Sequence, residues 1–463
     1  MSAVDRSAAG ASTGQRLGSS FRAIHTAPLV PLLLVTIAAT APIRDNSFLW
    51  HIRAGAVQLS NGRVITDDPF SFTMAEAPWR TQSWLSELLY GQLEAWFGGL
   101  SWVNVMVGVL AMATALLVGL SIYRGVRSPI ATGFAMIVTV WLAGPFIQPR
   151  PVIASYVLLA ALVLVLQNRD RLIWLAVPLI WIWAGVHGSW VIGGGLLILE
   201  WLRTSDRRIF NAGVAALASV FMTAHGLGVW SILVDFADAQ GALAMMDEWG
   251  VPDFADVAQA PYLLVIAGVI VAAMRGKMSP RDLIVILPFL FFGLTSKRAV
   301  FPAAIVLAPW AALAIPRIEL PKSKSSPLVA GVAFALVVLL TMSAWLVRPL
   351  GDLDYEVFPS PEIQEAMLGR NVFHDDVAGG FLIYDEWPDR LVFIDDRAEL
   401  YSADRIREML EIRSGLYEEA FAAYGFDAAL TKETWGLTER LDTDGWVRVA
   451  ENDPFIVFYP PEQ

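Results

Sequence analysis

The chain contains no cysteine. A disulfide scaffold, a thiolate metal site and a cysteine nucleophile are therefore all excluded, while the redox compartment stays open. Charge is scarce: 17% of the 463 residues are Asp, Glu, Lys or Arg, against about 25% in soluble domains. Histidine is scarcer, with five in all. His51, His187, His225 and His374 fall in segments read below as outer, and none of their spacings is that of a helical metal-binding pair. Gly-x-Ser-x-Gly, His-Glu-x-x-His and Walker sequences are missing. Positive charge is short too. The 33 bases against 44 acids leave −11, which excludes nucleic acid as a natural partner.

What is present is apolar. Hydrophobic residues make up 56% of the chain, the mean hydropathy is +0.54 and there are 18 Trp. This is the composition of a polytopic membrane protein, with indoles at the water–lipid boundary. Residues 1–27 are Ser-, Ala- and Gly-rich and read as a disordered cytoplasmic tail. Apolar stretches follow near 28–43, 100–123, 129–147, 151–167, 172–187, 189–202, 209–224, 260–274, 282–296, 299–315 and 327–347, eleven in all. The first resembles a signal peptide at Ile37-Ala38-Ala39-Thr40-Ala41, but the topology needs it as a span. With the N-terminus inside, 16 of the 33 bases lie in cytoplasmic segments, whereas the short outer loops hold only Arg150, Lys297 and Arg298. That asymmetry follows the positive-inside rule and places the C-terminus outside. It also favours two spans over one across 172–202.

Three segments are too polar for lipid: 44–99, 225–259 and the tail 349–463. From 349 onward there are 26 acids and 9 bases, so this part carries −17 and the remainder +6. In the first outer segment, Phe48, Ile52 and Ala56 mark one helix. Trp84, Leu85, Leu88, Leu89, Leu93, Trp96 and Phe97 mark another. Both read as amphipathic helices lying in the membrane interface. The tail reads as a small α/β domain. Strands are expected at 371–373, 381–384, 391–394 and 427–431, helices at 403–414 and 417–424, and a closing hairpin at 447–450 and 455–459. Gly379-Gly380 reads as a tight turn.

Nothing charged lies at the middle of a span, which counts against an ion-coupled transporter. Polar candidates gather at the outer face. Asp45, directly after the first apolar run, suits both a helix N-cap and a base at the water–lipid boundary. Arg150, Lys297 and Arg298 sit at outer span junctions, where they either snorkel to headgroups or bind a phosphate.

The motifs, taken in order, resemble a known group. They begin with Asp45-(x)4-Trp50-His51-(x)3-Gly55, Asp68-Pro69-Phe70-Ser71-Phe72-Thr73, Trp79 and Trp84-Leu85-x-Glu87. Then come Arg150-Pro151 with Ser155, Val186-His187-Gly188-Ser189-Trp190, Glu248-Trp249 with Pro252, and Lys297-Arg298 with Phe301-Pro302. Gly379-Gly380-Phe381-Leu382 and Phe393-Ile394-Asp395-Asp396-Arg397 complete the set. Over most of 28–459 the chain is similar to bacterial polytopic proteins of the GT-C glycosyltransferase superfamily. The resemblance implies a membrane all-α bundle of about eleven transmembrane helices with a small extracytoplasmic α/β C-terminal domain, in the bacterial cytoplasmic membrane. It implies transfer of a sugar from a polyprenyl-phosphate-linked donor to a glycan, lipid or protein acceptor at the outer face. Asp45 would be the catalytic base, His51 and Asp68 would shape the pocket, and Arg150, Lys297 or Arg298 would hold the donor phosphate. His187 and Glu248 would line the acceptor side. Relatives often carry a second acid two residues after the first. Here that position is Ser47, which weakens the case for a metal site and leaves a divalent cation an open question. The competing readings are a non-catalytic envelope protein with the tail as an interaction module, and a transporter or flippase.

Overall fold

A computed structural model describes residues 41–316 and 350–461, with isolated positions at 31, 39, 332, 335, 336, 339 and 343. The tail 1–27, and nearly all of the expected spans 28–43 and 327–347, lie outside the described residues. Each of the other nine apolar stretches is helical. Far fewer than eleven qualify as spans among the described residues. Ser101–Val126, Pro129–Phe146 and Lys297–Ala314 are long and apolar enough to cross a membrane. Two more qualify only as bent pairs: Val152–Gln167 with Arg169–Val186, at 106°, and Arg207–Met222 with Gly226–Asp238, at 107°.

A polar residue sits at the first break. The Asn168 side-chain amide donates to Leu164 O at 2.8 Å, and its backbone N–H bonds the carbonyls of Leu164 and Val165. The helix ends there and the chain turns. The helices Trp190–Thr204, Tyr262–Met274 and Leu283–Thr295 have 15, 13 and 13 residues, short of the roughly 20 that a bilayer core requires. The expected division inside 172–202 is present. One helix ends at Val186, His187 is extended, and the next helix begins at Trp190.

The outer segments form one body. Helix α1 (Asn46–Asn61) is not an interfacial helix. It is buried along most of its length, and it packs against α2 (Trp84–Phe97) and the tail helix α3 (Asp376–Glu386). The α1–α2 crossing has no room for a side chain. A Cβ on Gly55 would lie 1.8 Å from Glu87 O, and one on Gly91 would lie 2.6 Å from Ala56 N. Only α2 keeps an apolar face outward, at Leu89, Trp96 and Phe97. Phe48 of α1 meets Tyr90 and Trp102 edge-on at 5.6 and 5.8 Å, which ties this layer to the bundle.

The tail holds a four-stranded sheet of order β1–β2–β4–β3, from β1 (Val372–Phe373), β2 (Ala428–Lys432), β3 (Val447–Asn452) and β4 (Phe455–Tyr459). The β1–β2 pair is parallel and the others are antiparallel, including the expected closing hairpin. Residues 381–384, expected as a strand, belong instead to α3. Asp375 caps that helix through Ala378 N at 2.9 Å. Gly379-Gly380 is no turn: a Cβ there would strike Ile394 O at 1.8 Å and Asn46 O at 2.9 Å, so these glycines admit neighbouring backbone to the helix face. The stretch 391–394 makes only an isolated parallel bridge, Val392 to Ser71, with Phe72 N donating to Val392 O and Val392 N to Phe70 O. Its partner is thus the first outer segment rather than the sheet.

Candidate functional site

Four of the sequence-predicted residues, Asp45, Arg150, Glu248 and Arg298, meet at one end of the helices. Asp45 caps α1, its Oδ1 accepting from Phe48 N at 3.1 Å. Its Oδ2 accepts from Arg150 Nε. Arg150 extends Nη1 to both oxygens of Glu248, at 3.3 and 3.4 Å. Glu248 Oε1 also accepts from Arg298 Nη2, and the Arg298 guanidinium lies 5.1 Å from the Trp249 ring centre. The cap and the charged site are therefore one carboxylate, Asp45. The 247–250 segment is held in place by Lys297 N, which donates to Gly250 O at 2.9 Å.

Electrostatics follow from this chain. Burial works against the charge on Arg150, but Asp45, Glu248 and Asp396 outweigh it and hold its pKa above the usual value. Burial likewise opposes the charge on Glu248, yet Arg150 and Arg298 keep it below the ordinary carboxylate range. His187 is pushed down to about 3, by burial first and then by Arg298, His51 and Arg150. It is a neutral ring beside the cations. Its Nδ1 accepts from Ser189 N at 3.1 Å and lies 2.8 Å from Ser189 Oγ.

The other predicted residues sit elsewhere. His51 belongs to a layer beneath, with Nδ1 2.9 Å from Glu87 Oε1. Glu87 is fully buried and also accepts from Gln58 at 2.6 Å and from Thr81. Lys297 turns away to the exposed Asp247, at 2.6 Å. Asp68 lies in a separate, fully buried ion-paired cluster. It accepts from Phe70 N, Ser71 N and Ser71 Oγ, and from Arg397 Nη1 at 2.7 Å. Arg397 also pairs with both oxygens of Asp395, at 2.7 and 2.6 Å, and lies over Trp79, Phe70 and Trp50.

The residue that sequence reasoning missed is Asp396. Ser47 Oγ donates to its Oδ2, and Trp50 Nε1 donates to its Oδ1 at 2.7 Å. Lost hydration pushes its carboxyl up to about 6. Arg150 and Ser47 pull the other way, while Asp395 and Asp45 add to the rise. Asp376, nearby, is pushed up to about 7 by burial and by Asp375 and Asp396. The position two after Asp45 thus holds a hydroxyl that recruits a carboxylate from the tail. The run Asp395-Asp396-Arg397 was the available signal, but nothing in it says which acid faces Arg150. Among the described residues, no group of three or more His, Asp or Glu could hold a metal ion.

Below the arginines lies a narrow apolar groove in the bundle, lined by Val118, Met136, Val140, Phe146, Tyr156 and Phe301 among others. Phe301 meets Tyr156 at 4.7 Å and Phe146 at 6.3 Å, a ring cluster three residues from Arg298 and four from Arg150 along the chain. Beside Arg298, Trp249 Nε1 is buried with no hydrogen-bond partner among the described residues. No protein-family model matches the chain, and no curated protein matches it.

Proposed function

We propose that the chain is a membrane glycosyltransferase of GT-C type, multi-pass in the bacterial cytoplasmic membrane. It transfers a sugar from a polyprenyl-phosphate-linked donor to an acceptor hydroxyl at the outer face. The observation that carries this reading is the convergence of Asp45, Arg150, Glu248 and Arg298 next to an apolar groove. The groove's lining is apolar, as a prenyl chain requires, and its free volume of about 20 Å³ means that a chain enters only where the helices part; a phosphate suits two guanidinium groups. The phosphate would displace Glu248 from Arg150 and Arg298, which are bound to it through long or shared contacts. An orphaned buried indole N–H beside Arg298 fits a site that a ligand completes.

The chemistry then follows from these residues. The acceptor oxygen forms a bond to the anomeric carbon, and the bond from that carbon to the phosphate oxygen breaks. The electron pair leaves with the polyprenyl phosphate, whose charge Arg150 and Arg298 neutralise. The acceptor's proton passes to the Asp45–Asp396 carboxylates. Asp396, pushed up to about 6, has the proton affinity that a base near neutral pH requires. The envelope-protein reading needs the tail as a free module, and the burial of α1 against α3 counts against it.

Asp45→Asn, expressed in the host cell at the normal level, should change the cell-surface glycan profile. An unchanged profile at full expression overturns the catalytic reading.

A further inference from the structure

A second cavity, of about 230 Å³, lies beside the ion-paired site and is separate from the groove. Its walls come from three distant parts of the chain. Trp79, Arg80 and Gln82 belong to the first outer segment, Asp235 and Phe236 to the helix Val229–Asp238, and Glu399 to the tail. The walls are tied to one another. Arg80 Nη1 donates to Ser231 Oγ at 3.1 Å, His225 Nε2 lies 2.8 Å from Thr81 O, and Trp79 Nε1 donates to Glu399 Oε1 at 3.2 Å. None of these six residues takes part in the Asp45–Arg150–Glu248–Arg298 chain.

We infer that this cavity binds a neutral, hydroxyl-rich ring the size of one monosaccharide, and that it is the acceptor subsite. The second half of that statement rests on the glycosyltransferase reading; the first does not. Three observations carry it. The first is size. The volume falls just under the roughly 300–1,000 Å³ of pockets for drug-sized ligands, which suits one small ring rather than a chain. The second is the lining. Arg80 and Gln82 donate hydrogen bonds, Asp235 and Glu399 accept them, and Trp79 and Phe236 supply apolar wall, so hydroxyls meet both donors and acceptors. Burial holds the Glu399 carboxyl above its ordinary range. Arg80 is the one cation of the lining and faces two carboxyl groups, Asp235 and Glu399, which disfavours a phosphate. The third is placement. Trp79 stands edge-on to Trp50 at 5.7 Å, and Trp50 donates to Asp396. Gln82 lies against Gly188, next to His187. One aromatic layer therefore separates the cavity from the site's carboxylates. The helix Val229–Asp238 turns Trp230 and Val234 outward, as an interfacial helix does, so the cavity sits at the boundary where a water-borne acceptor arrives.

The test is saturation-transfer NMR on the full chain in nanodiscs, with glucose, galactose, mannose and N-acetylglucosamine at millimolar concentration, alongside undecaprenyl phosphate binding. At least one sugar should receive saturation, and Glu399→Gln should weaken it by about tenfold, the worth of one charged-group hydrogen bond. Asp45→Asn should leave it intact. If Glu399→Gln does not fold, Ile232→Phe, which fills the cavity, carries the same expectation. Saturation of no sugar, or equal saturation in wild type and folded variants, overturns the subsite. Undecaprenyl phosphate binding without sugar binding leaves the donor reading standing and removes this one; the reverse result does the opposite.

Discussion

Two arginines organise the polar half of the molecule, and they are built to different specifications. Arg397 is sealed. Its side chain and those of Asp68 and Asp395 are 0% exposed, its guanidinium makes short bonds to both carboxylates, and three aromatic rings enclose it. Arg150 is open on one side. It is bonded to the buried Asp45, but on its other side it reaches Glu248 only at 3.3–3.4 Å, shares it with Arg298, and Glu248 is 39% exposed. A sealed pair costs several kcal/mol in desolvation and returns it only through complete bonding. An open, partly bonded pair can exchange partners. The first arrangement fixes the tail to the first outer segment, and the second leaves two cations available to a ligand.

The largest expected effect tests the sealed pair. Arg397→Met strands Asp68 and Asp395 as buried charges, which should cost about 3–5 kcal/mol. Thermal melting in detergent should show most of the folded protein lost, and an unchanged melt would break the contrast. Arg150→Met should cost less stability and more ligand affinity. Its stability cost should be about 3 kcal/mol: the buried Asp45 loses its cation but keeps the bond from Phe48 N, and Glu248 keeps Arg298 and has access to water. Its affinity for undecaprenyl phosphate should fall about tenfold or more. If the two variants behave alike in both measurements, the arginines are not distinct in kind.

Asp396 sharpens the open side. Its folded pKa lies above the ordinary carboxylate value. Between roughly pH 4 and 6 the folded state therefore binds more protons than the unfolded one, and stability falls as pH rises through that window. Above about pH 6 the cost is fully present. Asp396→Asn should then be more stable than wild type at pH 7, by on the order of 2 kcal/mol, with the difference closing toward pH 4. A pH-independent difference would remove the titration. The smallest effect belongs to Lys297→Ala. The ion pair it removes has a partner that is 90% exposed. Melting temperature and lipid affinity should both stay near wild type, within about 0.5 kcal/mol. A large loss of lipid affinity would place Lys297 in the site after all.

The contrast also explains what was legible beforehand. Arg150 and Arg298 stood out because cations are rare at the outer ends of spans, and Asp45 stood out because it follows an apolar run. Asp68 looked equally polar and equally placed. Only its partner 329 residues away makes it structural, and no local pattern reports a partner at that distance. Asp396 was hidden for the same reason, since its neighbours Ser47 and Trp50 belong to another segment. The misread strand at 381–384 had the right apolar composition. What made it helical was the Asp375 cap and a glycine pair that lets backbone approach. The excess of expected spans has another origin: hydropathy registers apolar composition but not helix length, and Trp190–Thr204, Tyr262–Met274 and Leu283–Thr295 stop at 15, 13 and 13 residues.

The tie between Asp68 and Arg397 also sets an order of events in synthesis. At about 5–20 residues per second, the 329 residues between them keep the first outer segment waiting for some tens of seconds. Through that interval Asp68 has no cation, Ser47 has no carboxylate, and the layer around Trp50 and Trp79 lacks its guanidinium. The site is therefore completed only when the tail meets the first outer segment. A ribosome that stalls before residue 397 leaves a product whose Asp68 has no counter-charge, which is a mark that cellular quality control can read.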